Sequence, residues 1–214
     1  MQLTLHQLIP IPLRDQTVRK GSEIWGREVA ITSGEQVFVK APSGTGKTTL
    51  IYILYGLRRD YEGAVRWGAT ELKGLDGAGF AALRAGGISI VFQDLRLFPG
   101  LTTWENLDIK RQLNPLVTEA QLEEWLARLG IIDKKQALAA TLSYGEQQRV
   151  AIIRALLQPF NWLLMDEPFS HLDHENTRKA IGLIKEVTQE RKAGLLLADL
   201  DDNQYFSYNK TLLL

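Results

Sequence analysis

The first stretch of the sequence that could do chemistry is a loop of small and polar residues at positions 41–49, APSGTGKTT. Its glycines let backbone N–H groups converge on phosphate oxygens, and a helix that begins near Lys47 directs its positive end to the same point. Lys47 is expected to reach the β- and γ-phosphates of a nucleotide, and the hydroxyl of Thr48 to bind Mg²⁺. Ala41 stands where the complete pattern of a phosphate-binding loop begins with glycine. Its methyl group can be accommodated if the φ of residue 41 is negative. The loop predicts a nucleotide-binding set of Ser43, Gly44, Thr45, Gly46, Lys47, Thr48 and Thr49.

A second chemical signal is the apolar run WLLMD at 162–166, which is followed by Glu167. Beside a phosphate-binding loop, Asp166 is predicted to hold the Mg²⁺ shell and Glu167 to polarise an attacking water. On its own, the acidic pair would be better interpreted as a polar turn that closes a strand. The upstream loop makes the catalytic interpretation the favoured one.

The elements that must position these residues alternate along the chain. Near-continuous apolar strands between helices favour an α/β fold, a P-loop NTPase core with a mainly parallel sheet flanked by helices. The chain is predicted to be a single domain over 1–214, with a core at about 1–94 and 146–214 and an inserted helical lobe at about 95–145. The pattern predicts strands at 36–40, 63–67, 88–92, 162–166 and 194–198, and helices at 48–57, 118–129 and 173–191.

Composition narrows the classes of function. Lysine plus arginine and aspartate plus glutamate are equal at 25 each, so the net charge gives no reason to expect binding to nucleic acid or anionic lipid. The absence of cysteine excludes disulfides and cysteine–zinc sites. The first residues do not form a secretory signal, and no apolar run reaches the roughly 18 residues that span a bilayer. We expect the protein to stay in the cytoplasm. If it acts at a membrane, another chain would have to hold it there.

The octet LSYGEQQR at 142–149 needs a separate explanation, because a small-molecule kinase has no use for it. Its serine and glutamate have the spacing of a helix capping box, and a capped helix start with a free glycine amide is an anion site. The octet resembles the LSGGQ signature of ATP-binding cassette (ABC) proteins. In that family the signature faces the γ-phosphate held by a second subunit. The resemblance implies that a neighbour's site is completed in trans by Ser143, Tyr144, Gly145 and Glu146.

Other segments resemble the same family in type and order. Residues 91–106 are similar to its Q-loop region, which implies that Gln93 is a catalytic contact to Mg²⁺ and water, and residues 168–173 are similar to its D-loop. The likeness covers about 24–202 and implies the ABC ATPase fold, with ATP and Mg²⁺ as cofactors. The run GEQQRVAI is most similar to the ATPases of lipoprotein-release, macrolide-export and FtsE-type systems.

The resemblance implies a function in membrane transport. It identifies the chain as an ATP-binding and ATP-hydrolysing subunit that powers separate integral-membrane permease subunits through ATP-driven dimerisation. Its other partner would be a second ABC subunit, identical or different, and no nucleic acid is implied. The subunit would lie in the cytoplasm, peripheral at the inner face of the cell membrane, with the permease docked near residues 95–101.

Departures from the family pattern bear on the rate of hydrolysis. Alignment on Asp199 puts Ala198 where a histidine usually contacts the γ-phosphate, and loss of such a donor slows catalysis about 10²–10³-fold. Tyr144 replaces a signature glycine, and residues 9–16 offer no ring to stack on adenine, while Trp25 is interpreted as a packing residue. An alternative function is therefore a weakly hydrolysing module that uses ATP as dimer glue to signal to a membrane partner. Soluble ABC ATPases that act on DNA or ribosomes fit less well. The histidines are interpreted as surface or interface residues: His6, His171 and His174.

Overall fold

The structure is a computed structural model that describes residues 1–17, 21–201 and 203–214. Every strand and helix predicted from the sequence is present within this range, with shifts of a few residues at the ends. The described strands are β1 (Leu3–Pro10), β2 (Glu28–Ile31), β3 (Gln36–Lys40), β4 (Tyr61–Trp67), β5 (Thr70–Glu71), β6 (Ile88–Val91), β7 (Trp162–Asp166), β8 (Gly194–Asp199) and β9 (Lys210–Leu213). The described helices are α1 (Arg14–Thr17), α2 (Lys47–Leu54), α3 (Gly77–Gly86), α4 (Thr103–Leu113), α5 (Glu119–Arg128), α6 (Tyr144–Leu156) and α7 (His174–Glu190).

The central element is a five-stranded parallel sheet with the strand order β6-β7-β8-β3-β9. Its middle strands are buried on both faces, which explains their near-continuous apolar sequences. Leu195 and Leu197 join an apolar cluster with side chains of α4–α7, whereas Leu196 and Ala198 join a cluster with α2, α3 and the other sheet. The predicted parallel sheet flanked by helices is therefore confirmed.

The second sheet is antiparallel, with the order β2-β1-β4-β5, and the sequence reasoning did not predict it as a separate sheet. The run 63–67 was expected to belong to a mainly parallel sheet, but it pairs antiparallel with β1. The signal for this pairing lies in β2, whose residues alternate between exposed and buried, as expected for a sheet with one solvated face. This sheet covers α2 and so supports the phosphate-binding loop from behind.

Three helix starts have the capping box that fixes where each helix begins. Thr102 and Glu105 cap α4, Thr118 and Gln121 cap α5, and a serine–glutamate pair caps α6. Residues 95–145 contain α4 and α5 and no named strand, although Thr102 and Leu138 form an isolated antiparallel bridge. The division of the chain into a core and an inserted helical lobe stays a prediction.

None of the helices in the described part of the chain is long and apolar enough to cross a membrane.

Candidate functional site

The phosphate-binding loop connects the carboxyl end of β3 to the start of α2. Gly44 and Gly46 have φ of +79° and +104°, values that L side chains rarely adopt. A Cβ at Gly46 would also lie 2.7 Å from Cδ1 of Leu13 and 3.2 Å from the Trp25 ring. Glycine is therefore required at position 46 by both the backbone and the space around it. Ala41 is not among the described residues with positive φ, as its methyl group requires.

The loop borders an open cleft of about 290 Å³. Thr45 is the member of the predicted nucleotide-binding set that does not line it: its hydroxyl donates to the Pro42 carbonyl at 2.7 Å, and its own carbonyl accepts from the Trp25 indole at 3.2 Å. Trp25 is buried, so the packing role inferred for it agrees with its position. The cleft is lined by Leu13, Ser43, Gly44, Gly46, Lys47, Thr48, Thr49, Gln93 and Glu167.

Lys47 lies at the base of this cleft and is only 7 % exposed. Its Nζ donates to the carbonyl oxygen of Ala41 at 3.0 Å and lies 3.1 Å from Oε1 of Glu167. A buried ammonium without an anionic partner would be costly, and the glutamate provides that partner. The same ammonium is the group predicted to bind the terminal phosphates, so a nucleotide bound as predicted would compete with Glu167 for it.

Glu167 is held in an unusual backbone conformation immediately after β7. Its φ is +47°, in the left-handed region, and its N–H donates to the carbonyl oxygen of Ala198 at 3.0 Å. Strain of this kind persists only where the surroundings enforce it. Gln93 Nε2 donates to Glu167 Oε2 at 3.2 Å, and Thr48 Oγ1 donates to Gln93 Oε1 at 3.3 Å. Residues from three distant segments of the chain therefore meet in one polar network.

Asp166 lies beneath this network and is fully buried. Neither of its carboxylate oxygens has a hydrogen-bond partner among the described residues. Burial raises the pKa of Asp166 to about 6, and the nearby Thr48 hydroxyl offsets part of that shift without meeting hydrogen-bond geometry. Buried carboxylate oxygens that have no hydrogen-bond partner and lie near a hydroxyl are suitable ligands for a hard divalent cation. Such a cation typically binds one or two carboxylates together with substrate phosphates. The residues present therefore fit Mg²⁺.

Asp199 is a charged residue near the cleft that was not predicted as a site residue from the sequence. Ala198 is fully buried in the apolar cluster that contains Leu196, so the face of β8 that it occupies is the core. Asp199 follows on the alternate face, and its carbonyl accepts from the N–H of Ala41 at 3.0 Å. Burial raises the pKa of Asp199, and the Leu200 N–H, which donates to its Oδ1 at 2.8 Å, opposes the shift. The charge of Glu167 raises this pKa further and the charge of Lys47 lowers it. The alternation of side chains along β8 could have identified Asp199 from the sequence.

The signature residues begin α6 and do not line the cleft of their own chain. The Glu146 carboxylate accepts from the backbone N–H of Ser143 at 2.7 Å and from its hydroxyl at 2.9 Å, so the predicted capping box is present. Gly145 packs so closely on the D-loop segment that a Cβ there would lie 2.9 Å from the carbonyl oxygen of His171. Tyr144 contacts the loop of Gln93 within its own chain.

The histidines have separate environments. His6 pairs with Glu28 on the exposed face of the antiparallel sheet, with Nδ1 and Oε1 2.5 Å apart. The ring of His171 lies edge-on to Tyr144, with centroids 4.3 Å apart, and His174 is the first residue of α7.

Comparisons with known proteins identify the family that has this arrangement. Residues 26–170 match the family model described as ABC transporter. The chain belongs to the ABC transporter family. This ABC subunit is an ATP-binding and ATP-hydrolysing component of transport systems, as its motifs implied.

Individual relatives agree with this assignment. The ABC subunit is 34% identical to a thiamine import ATP-binding protein, ThiQ, of a Ruegeria species over 195 residues, which are 88% of this chain and 80% of the relative. It is 33% identical to the macrolide export ATP-binding/permease protein MacB of Marinobacter nauticus, but spans only 27% of that protein. Importers and exporters are thus both among its relatives, and the narrower resemblance to release and export systems stays a prediction.

A solved structure shares the fold. The dimeric post-hydrolysis state of the ATP-binding cassette MJ0796, bound to ADP and Pi, has a TM-score of 0.78 and 26% identity to this chain, and the match covers 93% of this chain and 88% of the cassette. The ABC ATPase fold predicted from the sequence is confirmed.

Proposed function

We propose that the cleft binds ATP with Mg²⁺ and hydrolyses it as follows. The amides of 43–49 and the ammonium of Lys47 hold the β- and γ-phosphates. Thr48, Gln93 and Asp166 would hold the Mg²⁺, which when bound would neutralise charge on the phosphates. Glu167 turns from Lys47 to a water and accepts its proton as the water oxygen bonds to the γ-phosphorus. The bond from that phosphorus to the β,γ-bridging oxygen breaks, and ADP leaves with inorganic phosphate as the other product.

The observation that carries this proposal is the 3.1 Å ion pair between Lys47 and Glu167. It joins the phosphate-binding group and the proposed base within one cleft, although they lie 120 positions apart in the numbering. Gln93 bridges Glu167 to Thr48, so hydrogen bonds connect the proposed base to two of the proposed cation ligands. A polar turn that merely closes a strand would not need this arrangement.

The proposed partner across the nucleotide is a second ABC subunit. The capped start of α6 presents Ser143 and Gly145 outside their own cleft, where they can reach the phosphate of another subunit. The dimeric state of the related cassette supports this arrangement. Tyr144, which is 43% exposed, adds bulk at that seam.

A permease is proposed to dock in a groove of about 310 Å³ between β6 and α4. Phe98 and Leu113 border it and are 57% and 77% exposed, while Arg96 and Lys110 supply positive charge. An apolar segment with acidic flanks would suit such a surface. Leu95 is buried, so within the predicted docking segment 95–101 the contact would be made by Phe98. The subunit would then lie in the cytoplasm at the inner face of the cell membrane.

A second candidate is the weakly hydrolysing module that uses ATP as dimer glue. Asp199 favours it, because the carboxylate at the end of β8 is near enough for the charges of Glu167 and Lys47 to shift its pKa, in the region where a histidine donor usually assists hydrolysis. A negative charge there would oppose rather than stabilise charge that develops on the γ-phosphate.

Phosphate release with saturating ATP and Mg²⁺ separates the two candidates. For a hydrolysing subunit, Glu167→Gln should lower kcat about 10²–10⁴-fold, the usual contribution of a general base. Glu175→Gln is the matched control, since Glu175 pairs only with Lys179 on the exposed face of α7 among the described contacts. Wild-type release no faster than that of Glu167→Gln would favour the dimer-glue function.

A further inference from the structure

The first residue of α6 reaches back to the loop that carries Gln93. The Tyr144 hydroxyl donates to the backbone carbonyl of Gln93 at 2.9 Å, although 51 positions separate the two residues. The tyrosine ring is fixed in turn by its edge-on contact with His171. The glycine that the family signature usually has at this position could make neither contact. The substitution therefore builds a link between the signature turn and the ATPase site within one subunit.

The far end of α6 holds the same loop a second time. The Arg154 guanidinium donates to the carbonyl oxygens of Leu95 and Arg96, the latter at 2.6 Å. Leu95 and Arg96 have φ of +56° and +50°, so the loop runs through two consecutive left-handed residues. Such a backbone persists only where its surroundings enforce it. One helix therefore fixes the loop at Gln93, before the strained turn, and again at the strained residues themselves.

The held loop leads directly to the proposed reacting groups. The side chain of Gln93 contacts both Thr48 and Glu167. A second connection comes from Gln148 of α6, whose Nε2 donates to the Glu167 carbonyl at 3.3 Å and whose Oε1 accepts from the His171 N–H at 3.2 Å. The backbone positions of Gln93 and Glu167 are thus both set from α6.

We propose that Tyr144 is a positioning residue of the ATPase site in its own subunit, acting through the backbone of Gln93. Its hydroxyl keeps the Gln93 amide between Thr48 and Glu167, in addition to any contact that its ring makes with a partner's nucleotide. This inference rests on the proposed hydrolytic function. It assigns to a residue of the signature turn a role in cis that is separate from the role proposed for the turn in trans.

Tyr144→Phe tests the hydroxyl alone, because the ring and its contact with His171 are kept. We expect kcat to fall about fivefold, the effect of one neutral hydrogen bond, with KM for ATP unchanged. Tyr61→Phe, in the antiparallel sheet, is the matched control and should leave kcat unchanged. A role of Tyr144 confined to bulk at the dimer seam would leave Tyr144→Phe as active as the wild type, and that result would overturn the inference.

A double-mutant cycle distinguishes positioning through Gln93 from a general effect on folding. If Tyr144 acts through Gln93, the fivefold loss should disappear when Tyr144→Phe is made in a Gln93→Ala background, because the side chain to be positioned is gone. The same fold loss in both backgrounds would contradict the inference.

The two failures can be told apart. A wild type that releases phosphate no faster than Glu167→Gln removes the hydrolytic function itself. If the wild type releases phosphate faster than Glu167→Gln, but Tyr144→Phe releases it at the wild-type rate, only the role assigned to Tyr144 is wrong.

Discussion

The ammonium of Lys47 and the carboxylate of Glu167 form an ion pair of 3.1 Å at the base of the phosphate cleft. Without nucleotide, each of the two groups neutralises the other in a largely buried setting. In the proposed mechanism, binding of ATP separates them, since the phosphates take the ammonium and the attacking water takes the carboxylate. Phosphate binding and activation of the proposed base would then be a single exchange of partners.

The first prediction follows from this competition. Glu167→Gln removes the charge that competes for Lys47, so ATP should bind about tenfold more tightly, the effect of one charge-assisted contact. Titration calorimetry with Mg²⁺ present measures the dissociation constant, and ADP should gain less because it lacks the γ-phosphate. Glu175→Gln serves as the control. Equal affinity of Glu167→Gln and wild type would show that the ion pair does not oppose nucleotide binding.

The second prediction concerns the pH dependence of stability in the nucleotide-free protein. Burial raises the pKa of Asp166 from 3.8 to about 6, so between these values the folded chain holds a proton that the unfolded chain has lost. The free energy of unfolding should therefore fall as pH rises through this window, and the penalty should be complete above pH 6. The asparagine of Asp166→Asn does not titrate, so the variant lacks this pH dependence. Its free energy of unfolding minus that of the wild type should therefore increase by roughly 2–3 kcal/mol from pH 4 to pH 7.

Urea unfolding at a series of pH values, in the presence of a chelator, measures this difference. Asp133→Asn is a matched control, since Asp133 is exposed beside Lys134. A difference between Asp166→Asn and wild type that stays constant from pH 4 to pH 7 would contradict a carboxylate with a raised pKa.

The sequence and the structure differ on which residue takes the place of the missing histidine. The motif alignment selected Ala198, whereas the alternation along β8 puts Ala198 in the core and Asp199 on the other face. Asp199→His should therefore raise kcat about tenfold or more by restoring a donor near the γ-phosphate. Ala198→His should instead destabilise the fold by about 2 kcal/mol or more, because it buries a polar ring.

Phosphate release and thermal unfolding of the two variants decide the point. If Ala198→His folds stably and hydrolyses ATP faster, while Asp199→His shows no gain, the motif alignment is right and Ala198 stands at the usual position of the histidine.

Much of the site could be predicted because its chemistry is carried by short segments. The loop from Ser43 to Thr49 and the pair Asp166 and Glu167 have their types and spacing fixed by what a phosphate and a cation need, so the sequence alone indicates them. Four strands of the parallel sheet, β3, β6, β7 and β8, were equally visible, since burial makes them nearly continuously apolar. The edge strand β9, in which only Leu212 is buried, was not predicted.

The remainder depends on contacts between segments far apart in the chain. Short motifs say which residues react but not which partner each has before ATP arrives, so the pairing of Lys47 with Glu167 was not foreseen. The same holds for the link from Tyr144 to Gln93, because it runs through a backbone carbonyl that has no sequence signature. The antiparallel sheet was missed because buried residues in its strands are interrupted by exposed or half-buried ones, and such patterns are weaker signals than continuous apolar runs.

The central claim is that the serine–glycine turn of one subunit completes the site of another, and mixing two inactive variants tests it most directly. Lys47→Ala removes the phosphate contact, and Ser143→Asp keeps a good helix cap while placing a negative charge at the phosphate of the neighbour. In a mixed pair, one site carries both defects and the other carries neither. We expect each variant alone to be inactive and an equal mixture to recover about a quarter of wild-type phosphate release, as random symmetric pairing requires. If wild type hydrolyses ATP and both variants fold, but no mixing ratio restores activity, the proposed completion in trans is wrong.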